Sequence, residues 1–177
     1  EVVIVPDAET YGGGDTAELL VQAPFAPASG VVVVTRAGVE SVQTFQTADG
    51  SAIVSIPVAE DDVPALDVRV DMVGATDRLG DAGTPLAGVP QQPAYAVGRV
   101  QLQVPPVRRT LDVVATPAAS EVAPGGSTSV MIEVTGPDGE PVADAGVAVT
   151  VVDEAVLSLT GYELVDPLGV FYQPLSS

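Results

Sequence analysis

The sequence contains no cysteine, histidine, lysine, asparagine or tryptophan among its 177 residues. Each absence removes a class of chemistry. Without His or Cys there is no imidazole base, no thiol nucleophile and no soft metal ligand. Without Lys, no ammonium group can activate a serine or seat a phosphate. No disulfide framework can form, so cysteine usage says nothing about redox compartment. No apolar run approaches the roughly 18 residues that a membrane-spanning helix needs. Aromatic residues make up only 4% of the chain, too few to suggest a sugar cleft. The expectation is a protein that is not an enzyme, with no catalytic, cofactor-binding or metal-binding residues.

Positive charge is nearly as scarce. Six arginines are the whole basic complement, set against twenty-four acidic residues for a net charge of −18. Phosphate backbones and anionic lipid repel such a chain, which excludes nucleic acid as a partner and direct membrane insertion as a mode of attachment. The charge reads as a well-solvated, soluble surface, and the joint lack of Lys and Asn as a GC-rich coding bias. The chain opens on Glu1 with no Met, no charged n-region and no apolar h-region. Both ends therefore read as cut, and the chain as an excised piece.

What remains is short β-branched runs, such as Val31-Val32-Val33-Val34, in a chain that is 46% apolar. Sixteen prolines and eighteen glycines punctuate those runs. Many short strands between frequent turn signals predict an all-β fold of tandem antiparallel β-sandwiches, of immunoglobulin or fibronectin type. Strands are expected over 2–5, 16–23, 30–35 and 39–47. Asp49-Gly50 reads as a type I′ turn leading to a strand over 52–58. In the segment 66–72, Leu66, Val68, Val70 and Met72 alternate with Asp67, Arg69 and Asp71, the pattern of a half-buried strand. A long loop is expected over 74–94 before a strand at 97–104.

Pro105-Pro106 cannot continue a ladder and marks a boundary. Strands are expected again over 111–115, 128–135 and 146–153, with turns at 122–126 and 137–139. The order of features around Val3-Pro6 and Gly12-Gly13-Gly14 repeats around Val113-Pro117 and Gly125-Gly126, about 111 residues later. Two copies of one module are implied, over 1–106 and 107–177, and the second is shorter than the roughly 100 residues of a full sandwich.

Two local features have the composition of a site, and a third interrupts a strand. Gly12-Gly13-Gly14 lacks the lysine of a phosphate loop and precedes a strand, so it reads as a turn. Glu60-Asp61-Asp62 offers oxygens for a hard cation but lacks the spacing of a calcium loop, and reads as a solvated loop. Asp153-Glu154 interrupts an apolar run, where a bulge or bend is expected. Three of the seven aromatics, Tyr162, Phe171 and Tyr172, fall in the last sixteen residues, where they would pack a surface the rest of the chain lacks.

The run Val152-Asp153-Glu154-Ala155-Val156-Leu157 resembles the "VDEAVL" signature of the α2-macroglobulin family, in particular of its bacterial members. Gly161-Tyr162 and Pro167 to Tyr172 fit the bacterial form. Tyr11-Gly12-Gly13-Gly14-Asp15-Thr16-Ala17 is similar to the family's "Y-x-P-G-[DE]-x-A" turn, with Gly13 where proline is usual. Gln22 to Phe25, Val34 to Val39 and Ser55 to Val58 resemble further family strand ends, although no Glu precedes Arg36. The resemblance implies extracytoplasmic protease traps, whose bait region is cut by the attacking protease. It implies macroglobulin-like domains here, the second completed by strands that follow the bait, with Phe171, Tyr172, Gln173, Pro174, Leu175, Ser176 and Ser177 at the bait's root. The chain has no Cys and so cannot hold the family's thioester. Implied partners are target proteases, met through the full-length protein, and other domains of the same chain. The competing reading is a stalk or adhesion module of a bacterial surface protein.

Overall fold

The computed structural model describes residues 1–161, 163 and 165–173. They form two compact units, Glu1–Pro105 with Gln173, and Pro106–Tyr172.

The first unit is a seven-stranded sandwich. One sheet has three strands, in the order β1 (Val3–Pro6), β2 (Thr16–Gln22), β5 (Ser51–Pro57). The other has four, in the order β4 (Val39–Thr47), β3 (Ala28–Thr35), β6 (Ala65–Thr76), β7 (Gln92–Gln103). All pairings are antiparallel. The fourth strand lies with the third, whereas immunoglobulin constant-type sandwiches put it beside the fifth.

Alternation produces the core. Ala17, Leu19 and Val21 of β2 meet Val54 and Ile56 of β5 on the inner face of one sheet. Val32 and Val34 of β3, with Leu66, Val68, Val70 and Met72 of β6, line the other. Leu19 and Met72 are fully buried, and each such side chain contributes about 1.5–3 kcal/mol of burial free energy. The acids and arginine of β6 face water, as the period-2 pattern requires.

Two expectations for this unit need correction. Asp49-Gly50 is not a type I′ turn, since Gly50 takes a positive φ of 87° and Asp49 does not. The Asp49 carboxylate instead accepts hydrogen bonds from the Thr47 hydroxyl and the Ser51 N–H. That arrangement suits a crossing from β4 in one sheet to β5 in the other, not a hairpin. The irregular segment is also shorter than 74–94. β6 and β7 remain paired out to Thr76 and Gln92, because the ladder uses backbone groups that Gly and Ala keep, and Pro93 removes only one donor near the strand end.

In the second unit, a 3-10 turn over Val107–Arg109 leads into β8 (Asp112–Pro117), which pairs with β9 (Val130–Thr135). The ladder copies that of β1 and β2. Pro6 stands opposite Leu19 and Pro117 opposite Val130, each partner moved by 111 residues. The hydrogen bond from Asp7 N–H to the Glu18 carbonyl recurs, with the same shift, from Ala118 N–H to the Ser129 carbonyl.

Beyond β9 the chain turns at Pro137-Asp138-Gly139, where Val142 N–H donates to the Val134 carbonyl. The strand expected over 146–153 does not form. Val147, Val149, Val151 and Val152 are exposed, and a β-branched run has no ladder to join without a neighbour. The bulge expected at Asp153-Glu154 is the start of a helix, α1 (Glu154–Thr160), and a second short helix follows, α2 (Pro167–Phe171). No helix among the described residues is long and apolar enough to cross a membrane.

Candidate functional site

The segment closing the chain is built by caps. Asp153 has extended backbone angles and its carboxylate accepts from Ala155 N–H at 2.8 Å, which satisfies one of the open donors at the start of α1. Glu154 adds favourable negative charge in the first turn. Gly161, in the left-handed region at φ 60°, ends the helix and returns its N–H to the Leu157 carbonyl. The sequence carried this signal, an N-cap acid followed by helix formers and a glycine stop. The apolar periodicity of the preceding run masked it.

α2 repeats the device. Asp166 accepts from Leu168 N–H at 3.0 Å, and Pro167 occupies the first turn, where its missing N–H leaves no donor unpaired. Tyr172 caps the far end and donates its N–H to the Leu168 carbonyl at 2.9 Å.

Of the aromatics expected to pack a surface here, Phe171 and Tyr172 lie among the described residues and behave differently. Phe171 is 80% exposed. Tyr172 is half-buried, with the Arg109 guanidinium 5.5 Å from its ring centroid and Arg109 Nη1 3.5 Å from its hydroxyl. Arg109 was not singled out from sequence, and no local signal marks a partner 63 residues away. Gln173 is exposed, while Tyr162, Leu164 and Pro174 to Ser177 lie outside the described residues.

The first unit's polar clusters are structural. The Tyr11 hydroxyl donates to Asp7 Oδ1 at 2.7 Å and accepts from Ala8 N–H, while Glu18 N–H donates to the same carboxylate oxygen. The Tyr11 hydroxyl first, and the Glu18 amide second, hold the Asp7 carboxyl below the usual carboxylate range. Burial, followed by the Asp7 bond, pushes the Tyr11 hydroxyl above its ordinary value. On the outer face of the four-stranded sheet, Arg69 grips Asp71 with two hydrogen bonds of 2.7 Å, and the Tyr95 hydroxyl donates to the same carboxylate. Arg69 and then Tyr95 lower the Asp71 carboxyl.

In the acidic loop, Asp62 is buried and its carboxylate accepts from Ala59 N–H at 2.7 Å, so one of the three acids is turned into the loop itself. Among the described residues, no group of three or more His, Cys, Asp or Glu is arranged to hold a metal ion. Gly13 has a packing reason, since a Cβ there would stand 2.5 Å from Glu60 Cα.

Comparison with known proteins bears on most of the chain. The curated protein "Circularly permutated Ras protein 2" of Dictyostelium discoideum is 24% identical over 171 residues, which is 97% of this chain and 4% of that protein. The chain thus spans a small fraction of its relative's length. The family described as "Alpha-2-macroglobulin bait region domain" matches residues 2–159, from the first strand of the sandwich to the body of α1. The match takes in the first unit from residue 2 and the second as far as residue 159, and the chain belongs to the alpha-2-macroglobulin bait region domain family.

Proposed function

We propose that this chain is non-catalytic scaffold in a bacterial α2-macroglobulin-like, broad-spectrum protease inhibitor, where it supports the bait region of a protease trap. Residues 1–106 are one macroglobulin-like sandwich, and residues 107–177 are the leading part of a second. Phe171 to Ser177 form the root of the bait, and the protein works outside the cytoplasm. Target proteases are met through the intact protein, and its other domains are this chain's immediate partners.

One observation carries this reading. β9 sits in the register of β2, yet its second edge is met only at its far end, where Thr135 bridges Pro141, and no strand pairs along it among the described residues. In the first unit, Leu19 and Val21 face Val54 and Ala52 of β5. Val130 and Ile132 hold the corresponding positions 111 residues on. The Val134 carbonyl accepts from Val142 on the side away from β8, so the alternation of an antiparallel ladder aims the Val130 and Ile132 backbone groups the same way. An edge so prepared is completed by a further strand of the same protein, supplied after a cleavable insertion.

Intact protein treated with several unrelated proteases is expected to be nicked in one short region and then to change mobility on a native gel. Cuts scattered among the domains, with unchanged mobility, would contradict a trap and favour a stalk.

A further inference from the structure

We propose that Arg109 is a positioning residue for the cleavable segment: its contact with Tyr172 holds α2 closed and so limits protease access to the chain around Phe171. The proposal rests on the reading of 171–177 as the bait's root.

Arg109 is held firmly. Its N–H donates to the Pro106 carbonyl at 2.9 Å, Thr110 N–H donates to the Val107 carbonyl at 3.3 Å, and the Thr110 hydroxyl donates to the Pro106 carbonyl at 3.2 Å. This closed turn lies immediately before β8. α2, by contrast, has only five residues, and a helix that short does not persist on its own hydrogen bonds. Leu168 and Tyr172, one turn apart, are the half-buried residues of the segment 167–172, while Phe171 between them projects into water. The guanidinium over the Tyr172 ring joins the end of this weak helix to the firm turn.

A protease binds several consecutive residues in extended form. Chain held helical up to Tyr172 is therefore a poor substrate, and cleavage upstream of that point follows the fraction of time the helix is open. A cation–aromatic contact at an exposed site changes that fraction by about two- to five-fold.

The test uses the intact protein carrying Arg109→Ala, Arg109→Lys, Tyr172→Leu, and Arg109→Ala with Tyr172→Leu. Chymotrypsin cleavage after Phe171 and amide exchange over 168–173 are followed under native conditions. Arg109→Ala is expected to speed both by about two- to five-fold. Arg109→Lys, which keeps a cation over the ring, restores part of the protection, and the effect of Arg109→Ala on exchange shrinks once Tyr172 is Leu. Unchanged rates in Arg109→Ala, or effects of the two substitutions that simply multiply, would overturn the proposal. First cuts by unrelated proteases that all fall outside 171–177 in the unmodified protein would overturn the bait-root reading, and the proposal with it, whatever the coupling between the two residues.

Discussion

Leu19 and Val130 occupy the same place in two copies of one ladder, opposite Pro6 and Pro117, yet Leu19 is 0% exposed and Val130 is 44% exposed. The first has a facing sheet and a second neighbouring strand, and the second has neither among the described residues. Corresponding positions thus have the same pairing but unequal burial. For residues 1–177 alone, Leu19→Ala is expected to cost about 2–5 kcal/mol, because it opens a cavity in a closed core. Val130→Ala is expected to cost under about 1 kcal/mol, since its methyls are already half in water. Denaturant melts of the two variants check this.

The Asp7–Tyr11 pair gives the first unit a dependence on pH at both ends. The folded-state pKa of Asp7 is depressed, so its contribution is present above the unfolded carboxylate value of about 3.9 and is lost as pH falls through the folded value. Tyr11 is raised, so its contribution is present below the unfolded value of about 10 and is lost as pH rises through the folded value. Asp7→Asn should flatten the acid limb of a stability–pH curve and Tyr11→Phe the alkaline limb. Urea midpoints across both ranges measure this.

The caps of α1 carry most of its local stability, because none of its residues is buried. Asp153→Ala should weaken the helix by about 1 kcal/mol. Gly161→Val should be worse than Gly161→Ala, since a β-branched side chain tolerates a φ of 60° poorly. Faster amide exchange at Val156 and Leu157, with exchange in the first unit unchanged, is the expected outcome.

The first unit was legible from its pattern. The alternation over 66–72 and the turn signals around it name its core strands, because both faces of that strand have defined surroundings. The long pairing of β6 with β7 was not legible, since Gly74 to Thr76 and Gln92 to Ala94 contribute backbone bonds and little apolar surface. The run Val147 to Val152 shows the opposite failure, a strong strand pattern without the neighbour that would make it a strand. α1 was hidden by that same apolar run, although Asp153 and Gly161 bracket it as caps. In the tail, aromatic content marks Phe171 and Tyr172 alike, and only three-dimensional placement separates the half-buried ring from the exposed one.

The open edge of β9 is where the account is most directly measured. Amide exchange at Val130 and Ile132 should be compared between residues 1–177 expressed alone and the intact protein. Slow exchange at both positions in the intact protein, and fast exchange in the shorter chain, is the result expected if a later strand completes the second unit. Equally fast exchange in both would mean that no strand is added there, and that the second unit is not half of a domain divided by a bait.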